Sequence, residues 1–203
     1  MWYNFLGEKM IIYVTGKSGS GKSTLAKLLA EQLQHKYIDV DKVGHKVYEN
    51  PDVMQKIYEL YGDAINDEDG NFNRKKLGAI YFSEKGSERS KQFDDITWQC
   101  MEKILQREMT QNCILDYILL PLTSLWEKPA TRILVKTQDD NQRIEFLTKR
   151  DGVDKEYIKL RDKSAIEYDE KQFDFVISHC YDKNQMKQAF DNLVESLKKI
   201  NTP

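Results

Sequence analysis

Cysteine is scarce. Cys100, Cys113 and Cys180 are odd in number, far apart and outside any Cys-x-x-Cys pair, which argues against a disulfide framework or a zinc site and for a reducing cytoplasm. Four prolines and ten glycines in 203 residues exclude collagen-like and Pro-rich disordered material. No run reaches the roughly 18 apolar residues that cross a bilayer as a helix. Charge of one sign is not in excess either. The 31 Lys+Arg against 33 Asp+Glu leave a net charge of −2, so no bulk electrostatic case exists for nucleic acid or an anionic membrane as main partner. The opening decapeptide lacks a basic segment followed by an apolar one, so it does not read as a secretory leader. Met10 stands directly before the first apolar run, so it would serve as the native start, with a start at Met1 as the alternative.

What remains is the composition of a folded soluble domain, 40% hydrophobic and 32% charged, long enough for one core with a small insertion. Ile11–Val14 is a short β-branched run and reads as a buried strand. Leu25, Leu28, Leu29 and Leu33 recur at helical spacing from Lys22 to about Gln34, and Tyr37–Val40 looks like a second strand. From about Lys42 to Thr110 the pattern is helical, broken by polar turns at Asn66–Gly70 and Glu84–Ser87. Strand character returns at Cys113–Ile118, Arg132–Val135 and Asp174–Ile177, with helices near Asp139–Thr148, Asp154–Tyr168 and Lys183–Lys199. The class is α/β with a five-stranded, mainly parallel sheet.

Gly16 to Ser23 reads GKSGSGKS and fits G-x-x-x-x-G-K-[ST] after a strand and before a helix, the setting that gives the pattern its weight. Glycines let successive amides point inward, and the helix N-terminus adds partial positive charge. Gly16, Gly19, Ser20, Gly21, Lys22, Ser23 and Thr24 are therefore the nucleotide-binding candidates. Lys22 would reach the β/γ oxygens, Ser23 would place its hydroxyl on Mg²⁺, and Thr24 would meet the α-phosphate. ATP with Mg²⁺ is the expected ligand pair. A GTPase would need Asn-Lys-x-Asp to read guanine, and the tetrapeptide does not occur. Asp39 and Asp41 stand at the carboxyl end of the second strand, where open α/β sheets bind ligands. In a strand, residues two apart share a face, so the two carboxylates would bracket one acceptor hydroxyl, with helix capping as the alternative.

Taken with the phosphate loop, Tyr37–Tyr48 (YIDVDKVGHKVY) and Glu68–Phe82 (EDGNFNRKKLGAIYF) resemble the dephospho-CoA kinase family. Ile114-Leu115-Asp116 followed by Pro121-Leu122, and Arg143–Gly152, are similar to its later segments. The likeness spans about residues 10–195 and implies a three-layer P-loop NTPase fold. It divides the chain into a core (10–41, 111–149, 172–203), a helical acceptor-binding region (42–110) and a lid (150–171). It also implies ATP-dependent phosphorylation of the ribose 3′-hydroxyl of dephospho-CoA, by a monomer or weak homo-oligomer in the cytoplasm. Asp39 would then be the base and Arg150 a lid arginine over the phosphates, the alternative being a solvated surface arginine. Arg161 is a second lid candidate for substrate binding, and Arg74 would hold the acceptor's pyrophosphate or cap a helix. Asp116 would hold Mg²⁺ through water.

The chain departs from the family at Trp98-Gln99, where His-Pro is expected, at Phe146 in place of an arginine, and at His179 in place of an asparagine. Two other readings stay open: a nucleoside or nucleotide kinase of the guanylate-kinase type, and a nucleotide-binding regulatory protein without transfer.

Overall fold

A computed structural model describes residues 10–109, 111–163, 166–179 and 183–200. Five strands, β1 (Ile11–Thr15), β2 (Lys36–Asp39), β3 (Cys113–Asp116), β4 (Thr131–Thr137) and β5 (Phe175–His179), form one sheet in the order β2-β3-β1-β4-β5. Every neighbouring pair is parallel. All five carboxyl ends consequently lie along one edge, and that edge carries the chemistry of such sheets.

The alternation of β1 explains its two faces. Ile12 and Val14 are fully buried against Leu25, Ala26 and Leu29 of α1 (Lys22–Leu33) and Leu193, Val194 and Leu197 of the closing helix. Tyr13 turns the other way, donates its hydroxyl to the Leu125 carbonyl at 2.9 Å and stacks on Trp126. Of the leucines read as the buried stripe of α1, Leu28 is exposed. The stripe is instead completed by Ala26 and Ala30, small residues that let the helix lie close to the sheet. Gln34 ends α1 in the left-handed region at φ 56°, its N–H returning to Ala30 and Glu31.

The chain divides into two compact units, one running through Asp39 and resuming at Thr110, the other spanning Val40–Met109. The second is helical: α2 (Val40–Lys46), α3 (Pro51–Tyr61), α4 (Arg74–Ser83) and α5 (Glu88–Glu108). Asn50, Asn73 and Ser87 cap the last three by accepting first-turn N–H groups. The polar turn near Gly70 is closed by Asp67, whose carboxylate takes the Asp69 and Asn71 amides. Ile57, Ile65, Leu77 and Leu105 are buried in this unit.

Two local expectations are corrected. Strand β2 stops at Asp39 and α2 begins at Val40, so Asp41 lies in a helical first turn and not two residues along a strand from Asp39. An acidic side chain is favourable at a helix start, and the same-face argument for the pair does not apply. In the first unit, α6 (Asp140–Asp151) ends at Gly152 with φ 67°, and α7 (Lys155–Lys163) is shorter than the spacing predicts. Tyr168 lies beyond it, its hydroxyl donating to the Ile118 carbonyl at 2.8 Å. That anchor draws the segment back to the sheet's carboxyl edge. The last helix, α8, covers Lys183–Ile200.

Candidate active site

The turn after β1 can be made only with glycine at its key positions. At Gly16, φ is +152° and an added Cβ would lie 2.2 Å from the Val135 carbonyl oxygen. Gly16→Ala is therefore expected to destabilise the protein by at least about 1–3 kcal/mol from backbone strain alone, read as a lower denaturation midpoint at unchanged slope. Gly21, at φ +89°, opens α1, and a Cβ there would press on the His179 ring at 3.0 Å. Helix α1 starts with no side-chain cap and no acid in its first turn. Its first N–H groups and positive dipole end therefore meet no competing acid or side-chain cap, the arrangement that binds anions. Ser20, fully buried, keeps a hydroxyl with no hydrogen-bond partner among the described residues.

Lys22 is the first residue of α1, and its Nζ lies 4.0 Å from Oδ1 of Asp116 at the end of β3. Asp116 is 3% exposed. Its other oxygen accepts from the Tyr37 hydroxyl at 2.9 Å, while Oδ1 accepts no hydrogen bond among the described residues. Asp39 ends β2 in register with Asp116. The structure thus brings Lys22, Asp116 and Asp39 to the same carboxyl edge. Tyr37→Phe should destabilise the protein by about 1–3 kcal/mol, because it leaves a buried carboxylate oxygen without its donor. Denaturant titration would measure the loss.

A cleft of about 380 Å³ opens at the loop, lined by Gly19, Gly21, Lys22, Ser23, Thr24, Phe146, Arg150 and His179. Arg150 lies in the last turn of α6, pairs with Asp151 at 2.6 Å and sits 5.7 Å from the centre of the Phe146 ring. The hydrogen bonds it donates to the Asp151 carboxylate raise the pKa of its guanidinium and keep it charged. Burial lowers the pKa of His179, so the imidazole facing Gly21 favours its neutral form.

The other candidates are distributed differently. Asp41 and Arg74 belong to the helical unit, Arg74 as the first residue of α4 behind the Asn73 cap. Partial burial raises the pKa of the half-buried Tyr48 hydroxyl, and the charge of Arg74 opposes that rise. Arg161 falls in α7 with its side chain outside the described residues.

Four residues escaped sequence reasoning. Tyr37 read only as a strand residue. Phe146 and His179 read as departures from a pattern and not as walls of a cleft. Arg143 drew no role at all, although a charge one turn before Leu147, on the apolar stripe of α6, was the available signal.

A parallel sheet of this order, a glycine loop feeding an uncapped helix, and a lysine facing a strand-end aspartate define the class of P-loop kinases. Solved structures agree on the fold. The TT1252 protein of Thermus thermophilus aligns with TM-score 0.78 at 20% identity, covering 94% of this chain and 98% of that one. A dephospho-CoA kinase from Campylobacter jejuni aligns with TM-score 0.66 at 24% identity, covering 96% and 100%. The family model for dephospho-CoA kinase matches residues 10–180. A dephospho-CoA kinase of Fusobacterium nucleatum is 30% identical over 193 residues, 93% of this chain and 98% of its own length. One from Staphylococcus aureus is 30% identical over 200 residues, 95% and 96%. The chain belongs to the dephospho-CoA kinase family.

Proposed function

We propose that this protein transfers the γ-phosphate of ATP to the ribose 3′-hydroxyl of dephospho-CoA, giving coenzyme A and ADP. The observation that carries this reading is that Lys22 lies beside Asp116 at the carboxyl edge of the sheet, with Asp39 in register with Asp116 on the next strand, in a chain of this family. The amides of Gly19 to Thr24 would hold the phosphates and Lys22 would bridge the β- and γ-oxygens. Asp39 would orient the hydroxyl and accept its proton as the new O–P bond forms and the bond from the γ-phosphorus to the β,γ-bridging oxygen breaks. Arg150, at the rim of the cleft, would stabilise charge on the transferred group.

The residues fit Mg²⁺. An Asp116 oxygen that is buried and accepts no hydrogen bond among the described residues, and the Ser23 hydroxyl beside Lys22, are hard oxygen donors of the kind Mg²⁺ takes; Ser23 would hold the ion directly and Asp116 through water. Among the described residues no cluster of three or more acids, histidines or cysteines offers an all-protein cage. Mg²⁺ neutralises phosphate charge when bound.

Asp41, Arg74 and Arg161 are proposed to contribute to acceptor binding. The helical 42–110 region would carry the acceptor and residues 150–171 would form the lid. No described helix is long and apolar enough to cross a membrane, and we take the protein to act in the cytoplasm as a monomer or weak homo-oligomer.

The test is incubation with Mg-ATP and, separately, dephospho-CoA, GMP, AMP, CMP or pantetheine, with products read by mass spectrometry and a control without acceptor. Coenzyme A formed with dephospho-CoA, and no phosphorylated product from the others, is the expected result. Phosphorylation of a nucleotide alone would overturn the acceptor assignment.

A further inference from the structure

Among the described residues only two charged side chains are buried, Asp116 and Arg143. The first belongs to the site above. Arg143, on α6, is 0% exposed, yet nothing in the reaction as derived uses it. Burying a guanidinium is costly unless its donors are met, and here each group of donors has a partner. Nε donates to Asp140 at 2.7 Å, Nη2 donates to Asp162 of α7, and Nη1 donates to the carbonyl oxygen of Ser18 at 3.0 Å. The last acceptor is backbone of the phosphate loop, 125 residues away in sequence.

The same side chain supports the loop by packing. The space where a Gly19 Cβ would stand is bounded by Leu147 at 2.9 Å and by the Arg143 stem at 3.1 Å. Helix α6 thus lies directly on Gly19, whose φ is +78°. The Ser18–Gly19 peptide bond is trans. In a planar trans unit the C=O and the following N–H point in opposite directions. A carbonyl drawn onto Arg143 therefore turns the Gly19 N–H away from α6's buried arginine, and Gly19 lines the cleft.

We propose that Arg143 is a positioning residue. It fixes the Ser18–Gly19 peptide so that the Gly19 amide faces the phosphate site before nucleotide arrives, and through Asp162 it ties that amide to helix α7. The neutral sum of Arg143 and Lys17 against Asp140 and Asp162 fits this role, since the cluster adds orientation without repelling phosphate; Lys17 acts on Asp140. The proposal rests on the phosphate-loop reading above, and its test separates the two.

Protein labelled with ¹⁵N-glycine gives a spectrum of ten glycines at most, which can be followed during titration with inorganic pyrophosphate and with ADP. In the wild type both the Gly19 and Gly21 amides should shift. In Arg143→Met the Gly19 shift should be lost while that of Gly21 persists. The ADP Kd should weaken about tenfold or more, the scale of one hydrogen bond to a charged group. Arg143→Lys should recover part of the shift. A purely structural role would lower stability without separating the two glycines. Arg143→Met folded, with the Gly19 shift and ADP affinity within twofold of wild type, would overturn the proposal. Should that variant not fold, Asp162→Ala removes one anchor and is expected to reduce the Gly19 shift selectively; an unchanged shift there would overturn it equally. Absence of any glycine shift in the wild type would instead overturn the phosphate-loop reading itself.

Discussion

Lys22→Ala is expected to lower phosphoryl transfer by about 10²–10³-fold or more, the scale seen when one preorganised charge-stabilising donor is removed from an active site. The argument is positional. Lys22 begins a helix with no competing cap, is 14% exposed, and its ammonium lies 4.0 Å from a buried carboxylate at the sheet's edge. In the proposed reaction its ammonium would meet the charge developing on the transferred group, in a partly desolvated setting where a cation counts for more than in water. The fold should survive, because Asp116 keeps its bond from Tyr37 and the buried face of α1 does not include Lys22. Circular dichroism and turnover on one preparation check both halves. A folded variant with near-wild-type transfer would remove the phosphate loop from the mechanism.

Asp39→Asn should reduce kcat by about 10²–10⁴-fold, the usual contribution of a positioned general base, while the Kd for ATP changes little. The asymmetry follows from the topology. Asp39 ends β2, an edge strand separated from β1 by β3, whereas the cleft lined by the loop, Phe146, Arg150 and His179 involves α1, α6 and the end of β5. Retained kcat would exclude Asp39 as base. A fall in ATP affinity that matches the loss of kcat would make it a nucleotide-binding residue instead.

Sequence reasoning recovered what is local. The β-branched run Ile11–Val14, the glycine loop and the leucines of α1 are set by neighbours within a dozen residues, and these elements appear close to their expected bounds. The strand order is different, since β3 enters between β1 and β2 from about 70 residues downstream. Hence the role of Tyr37 toward Asp116 was invisible: it depends on a register that only the assembled sheet defines. The expected pairing of Asp41 with Asp39 on one strand face fails because the strand ends at Asp39 and a helix starts at Val40, a boundary that two closely spaced aspartates do not reveal by themselves. Arg143 was missed for a related reason. A buried arginine needs three partners, and these come from the loop, its own helix and α7.

The most direct test of the central claim is the fate of the γ-phosphate. Protein incubated with γ-³²P-ATP, Mg²⁺ and dephospho-CoA should yield coenzyme A carrying one label at the ribose 3′ position, identified by chromatography and fragment mass, with one ADP formed per label transferred. Label recovered only as inorganic phosphate, or attached at another hydroxyl, would contradict the direct transfer that this arrangement of Lys22, Asp116 and Asp39 is proposed to perform.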